Sequence, residues 1–137
     1  MLLCAFGGFD LYAKTSFNFI LVLTDDQGWS SLSAPMDKSL PEAKSDFHYT
    51  PNMDALLERG MRFSHGYASA PVCSPTRYSI QFGKSPSRLR YTRVLGHNGA
   101  DHNQVSIPQL LKAVDPDYRC AHFGKWHISA DPERYGY

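Results

Sequence analysis

From Phe17 the chain runs Asn18-Phe19-Ile20-Leu21-Val22-Leu23-Thr24, apolar without alternation. Such a run predicts a strand buried on both faces of a mostly parallel sheet. Residues 30–47 are rich in serine, proline and charge with no sustained period, which predicts a long loop. Thr50 to Gly60 then carries helix signals: a capping Thr50, Pro51 at the first position, Met53, Leu56 and Leu57 on one face, and Gly60 as terminator. Met61 to Tyr67 alternates loosely and predicts a strand. A second helix is expected from Pro75, capped by Ser74 and running through Phe82 to Gly83. Ser106 to Val114 is amphipathic, with apolar residues at i, i+3, i+4 and i+7, a Ser106 cap and a stop before Pro116. Tyr118 to Phe123 is a short predicted strand that ends in Gly124-Lys125-Trp126-His127.

Composition narrows the picture. With 137 residues, 42% hydrophobic and 20% charged, the chain has the size and make-up of one globular domain. A formal net charge of +1 argues against a general nucleic-acid or membrane-surface binder. The basic cluster Lys84, Arg88, Arg90 and Arg93, with Tyr91 among them, is brief and reads as a solvated loop. Cys4, Cys73 and Cys120 are widely spaced and odd in number, so they form neither a disulfide framework nor a zinc pattern. His97 and His102 have no metal spacing and read as surface histidines. Residues 1–16 begin with an apolar stretch that lacks a basic start and meets Asp10 early; they read as a leader, a signal remnant or a leading strand. No run approaches the roughly 20 apolar residues of a membrane-spanning helix.

Three places carry candidate chemistry. Asp25-Asp26 sits at the carboxyl end of the first predicted strand, where ligands gather in open α/β sheets; two adjacent carboxylates there suit a hard cation such as Ca²⁺, or form a turn with solvated side chains. Cys73 lies between Pro71 and Pro75 just before a predicted helix start. Free amides and the helix dipole there favour negative charge, so they would depress the thiol pKa and could hold an oxyanion. Arg77, about one turn in, is able to reach back toward the same anion. The alternative is a buried structural cysteine beside a proline-bounded turn. Lys125 and His127 lie at the end of the last predicted strand, so three strand ends would converge on one crevice.

Cys73-Ser74-Pro75-Thr76-Arg77 resembles the C-x-P-x-R motif of type I, formylglycine-dependent sulfatases, within the alkaline-phosphatase-like superfamily. Three further stretches match the family in the same order: Asn18 to Gly28, Thr50 to Gly60 as T-P-N-x-D-x-L, and His122 to His127 as G-K-W-H. The resemblance covers most of the chain. It departs at Gln81 and Phe82, where aliphatic and small or basic residues are usual, and at Cys120, where Thr or Ser is common.

The resemblance implies an α/β fold, a mostly parallel sheet flanked by helices, with residues 17–137 as the N-terminal part of a catalytic domain. It implies hydrolysis of sulfate monoesters through a formylglycine made from Cys73, whose hydrate attacks sulfur and later expels sulfate. Asp25, Asp26 and the modified Cys73 would hold Ca²⁺, Arg77 would orient the hydrate, and Lys125 and His127 would stabilise nucleophile and sulfate. The implied partners are a sulfated small molecule or glycan and the formylglycine-generating enzyme, with no nucleic acid, in a periplasmic, secreted or lysosomal setting. The family also draws on a later histidine, a later metal pair and a second lysine that do not occur before Tyr137, so a truncated, inactive fragment is one expectation. Phosphodiesterases and phosphonate hydrolases of the same superfamily are the enzymatic alternative.

Overall fold

The computed structural model describes residues 17–94, 103–129 and 131–137. The leader assignment, Cys4, His97 and His102 fall outside them. Among the described residues four helices occur in order: α1 (Pro51–Arg59), α2 (Cys73–Phe82), α3 (Pro86–Leu89) and α4 (Ile107–Val114), followed by a 3₁₀ turn at Pro132–Tyr135. No helix among the described residues is long and apolar enough to cross a membrane.

None of the three predicted strands forms a ladder; the described residues contain only one isolated bridge, Asp37 to Leu40. The first segment is instead exposed, Ile20 by 89% and Phe19 by 65%. A strand apolar on both faces is buried only when neighbours pair with it and layers cover it, and among the described residues neither occurs. It touches the last predicted strand: the Tyr118 hydroxyl donates to the Phe17 carbonyl at 3.0 Å, and the Phe19 and Tyr118 rings lie 6.2 Å apart.

The helices follow the sequence signals with shifted ends. In α1 Pro51 stands in the first turn, but Thr50 makes no side-chain cap because its hydroxyl donates to Asp54 Oδ1 at 2.9 Å. The helix buries no residue completely, and Met53 and Leu56 remain exposed. The loop before it is held by side chains: Ser33 Oγ donates to Asp54 Oδ2 at 2.6 Å, the Ser33 and Ala34 amides donate to Thr50 Oγ1 and Asp54 Oδ1, and Arg62 donates to the Pro35 carbonyl. These bonds hold the Asp54 carboxyl below its ordinary range, with the Ser33 hydroxyl contributing most.

Helix α2 starts at Cys73, two residues before Pro75, with an extended Val72 as its cap position. Pro75 thus stands third in the helix, still within the first turn, where its missing N–H is not required. Ser74, Pro75, Tyr78, Gln81 and Phe82 are buried, a 3.6-residue stripe. Gly83 ends the helix at φ 61°, a left-handed conformation that favours glycine.

Around that stripe lies the core: Tyr78, Phe82, Tyr91, Ile128 and Tyr135, with Leu89, Trp126 and Tyr137 against them. Tyr78 packs edge-on to Phe82 at 4.6 Å and against Tyr91 at 4.5 Å, and Trp126 meets Tyr135 at 5.6 Å. The expectation of a solvated basic loop therefore fails at Tyr91: α3 turns the chain back, and the ring is buried. The ring's apolar area outweighs the polarity of its neighbours.

In α4 the predicted cap is present as a full capping box with Gln109. Ser106 Oγ also donates to the Tyr135 carbonyl at 2.5 Å, and Lys112 Nζ to the Gly136 carbonyl at 2.6 Å. Gly136 has φ 90°, and an added Cβ would lie 3.3 Å from that of Pro108, so this close approach needs glycine. The apolar stripe of α4 is not covered, with Leu110 and Val114 exposed.

Candidate active site

Helix α2 and the 124–128 loop are locked together by the aromatic core, and this positions the site. Arg77 leaves α2 at the flank of its buried stripe and crosses to the loop, where Nη1 donates to the Lys125 carbonyl at 2.5 Å. Its Nη2 donates to Asp25 Oδ2 at 3.3 Å, and Lys125 Nζ reaches the same oxygen at 3.3 Å. Three residues far apart in the chain thus meet at one carboxylate oxygen. The Arg77 side chain is only 12% exposed, whereas Asp25 and Lys125 are about half exposed.

Electrostatics follow from the geometry. Asp25 lies below its ordinary pKa, first through the hydrogen bond and charge of Lys125 and then through those of Arg77. Two cations sharing one carboxylate leave the linked trio net positive, which favours an incoming anion. Cys73 stands one turn before Arg77 in α2, half-buried and free of a disulfide. It is the first residue of the helix rather than the residue before it, still within the turn whose amides lack partners inside the helix.

Asp26 and His127 are held differently. Both adopt left-handed backbone, φ 53° and 55°. For residues other than glycine this costs on the order of 1–3 kcal/mol and concentrates at functional sites. His127 Nδ1 is buried without a hydrogen-bond partner among the described residues. Neither residue is hydrogen-bonded or ion-paired to the Arg77–Asp25–Lys125 trio there. The clamp of Ser33, Thr50 and Asp54 fixes the loop after Asp26, whereas the sequence pattern there shows only a helix start. Its visible signal was the Thr50-to-Asp54 spacing of one helical turn.

The fit of Ca²⁺ is incomplete. That ion takes 6–8 oxygen ligands. Asp25 and Asp26 offer four carboxylate oxygens at most, and one of them is already shared by two cations. Among the described residues no group of three or more histidine, cysteine, aspartate or glutamate side chains gathers to hold a metal. These residues alone do not make a calcium site.

Comparison with known proteins gives the family. The chain belongs to the sulfatase family, whose model matches residues 17–137. It is 31% identical to N-acetylgalactosamine-6-sulfatase of Sus scrofa over 85% of the chain and 22% of that protein. It is 33% identical to arylsulfatase G of Homo sapiens over 81% of the chain and 20% of that protein. To choline-sulfatase of Rhizobium meliloti (strain 1021) it is 36% identical over 73% of the chain and 19% of that protein. The chain spans about a fifth of the length of these relatives. No solved structure matches it.

Proposed function

We propose that this chain is the part of a sulfuric ester hydrolase that carries the nucleophile and the first cations of the sulfate site. The observation that carries the proposal is the meeting of Arg77 and Lys125, from two separate motif stretches, on Asp25 beside the helix that begins with Cys73. Cys73 is the residue converted to formylglycine. Arg77 orients that side chain from one turn away, and Lys125 stabilises charge on a sulfate oxygen. His127, with its buried Nδ1 unpaired among the described residues, is the second polar group at that loop. Asp25 and Asp26 are two donors toward a divalent cation whose remaining ligands would come from outside the described residues.

The same proposal includes the α/β architecture with residues 17–137 in its N-terminal part. We place two of its parallel strands at 18–24 and 118–123; the Tyr118 contacts with Phe17 and Phe19 support that pairing. It also includes a periplasmic, secreted or lysosomal setting. The phosphodiesterase and phosphonate-hydrolase reading is not favoured, because the relatives named above are sulfatases.

Inorganic sulfate tests the anion site. With ¹⁵N-labelled chain, the Arg77 Nε–H signal should shift saturably on adding sulfate, and the effect should vanish in Lys125→Ala. An equal response to chloride at matched ionic strength would contradict the proposal.

A further inference from the structure

A recess of about 370 Å³ opens between the loop after Asp26 and the segment leading to Cys73, lined by Trp29, Asp37, Leu40, His65 and Tyr67 among others. None of these residues belongs to the Arg77–Asp25–Lys125 trio. The volume lies in the lower part of the range, about 300–1,000 Å³, in which small ligands bind.

The lining includes two aromatic residues, Trp29 and Tyr67, and two polar ones, Asp37 and His65. The Trp29 indole N–H donates to the Ser64 carbonyl at 2.9 Å, so the ring's polar edge is satisfied and its orientation held while its face stays available. Tyr67 is 86% exposed. Asp37 Oδ1 accepts from the Ser39 amide at 2.8 Å and from the Ser39 hydroxyl at 2.7 Å. Those bonds fix the carboxylate and leave Oδ2 without a hydrogen bond among the described residues. His65 Nδ1 pairs with Ser64 Oγ at 2.9 Å, leaving its Nε2 for another partner.

The recess shares its chain segments with the proposed sulfate site. Trp29 follows Asp25 by four residues and Tyr67 precedes Cys73 by six. The segment between is pinned to α2, because the Thr76 hydroxyl donates to the Ala70 carbonyl at 2.8 Å.

We propose that this recess is the subsite for the hydroxyl-bearing ring of a sulfated sugar. Trp29 and Tyr67 stack on the apolar C–H face of the ring, while Asp37 Oδ2 and His65 Nε2 take its hydroxyls. An aryl group would use the aromatic pair alone and leave both polar atoms unused. The assignment of the ring to a sulfate ester rests on the sulfatase reading; recognition of the ring itself does not.

The test uses the whole chain and an uncharged sugar, methyl β-D-galactoside, so that the sulfate site does not contribute. The chain has two tryptophans, and Trp29→Phe assigns their two indole N–H signals. The Trp29 signal should move saturably with added galactoside while that of Trp126 stays in place. Tyr67→Ala should weaken binding about fivefold or more, and Asp37→Asn about fivefold, the worth of a stacking face and of one hydrogen bond. Because Tyr67 is exposed, its replacement leaves the fold intact. The proposal is overturned if the Trp29 signal does not respond, if both variants bind unchanged, or if phenol moves it as strongly as the galactoside. Conversion of Cys73 in the same preparation separates the two ideas: conversion without sugar binding removes only the recess, and sugar binding without conversion removes only the sulfatase reading.

Discussion

Replacing Tyr78 by alanine removes the ring that joins the helix of Cys73 and Arg77 to the rest of the core. Tyr78 is 1% exposed and touches the rings of Phe82 and Tyr91 at 4.6 and 4.5 Å. An aromatic side chain buries about 150–250 Å², which at about 25 cal/mol per Å² corresponds to roughly 4–6 kcal/mol as an upper figure. Alanine keeps a small part of this, and large-to-small aromatic changes in cores cost about 3–5 kcal/mol. With a urea slope of about 1–2 kcal/mol per molar, the unfolding midpoint should fall by roughly 1.5–5 M. The site should loosen with it, because the core sets the position from which Arg77 reaches Lys125 and Asp25. Tyr78→Phe, which keeps the ring, should retain most of the stability. A loss below about 1 kcal/mol for the alanine variant, judged against the same scale, would show that the aromatic cluster does not hold α2.

The Asp25 carboxyl carbon, followed by NMR, should titrate below the ordinary aspartate value, and Lys125→Ala should raise its midpoint more than Arg77→Ala. Because the folded pKa is depressed, this pairing stabilises the chain above the unfolded value of about 3.9 and is lost as the pH falls through the lower folded value; an unshifted midpoint would refute the contact. Calorimetry should find Ca²⁺ binding weak, since two adjacent carboxylates supply few of the required oxygens, and Asp25→Ala or Asp26→Ala should abolish it. A tight isotherm unaffected by either change would place the ion elsewhere.

What was legible in the sequence was local. The Ser106 cap, Pro51 in its first turn and Gly83 after α2 are signals read by neighbouring residues, and the structure places them as expected. The start of α2 moved to Cys73 because an extended Val72 leaves the helix free to begin before Pro75, which a proline rule alone does not reveal. Strands 18–24 and 118–123 depend on partners distant in the chain, and residue patterns cannot supply those partners. The site shows the same division. Motif spacing named Asp25, Arg77 and Lys125, and they do meet; that they meet on a single carboxylate oxygen follows from the aromatic core. Tyr91 was hidden by its basic neighbours, and the Asp54 clamp by its place in an ordinary helix start.

The central claim, that Cys73 becomes the nucleophile of a sulfate ester hydrolase, is tested most directly by the mass of one peptide. Produced in a cell that contains the formylglycine-generating enzyme, the chain should release the tryptic peptide Phe63 to Arg77 in a form lighter than the cysteine form by the difference between CH₂SH and CHO. Pro75→Ala should suppress that product while leaving the thiol in place. If the peptide carries only unmodified Cys73 while a known sulfatase made in the same cells is converted, the account is contradicted, and Cys73 is a thiol at the start of a helix.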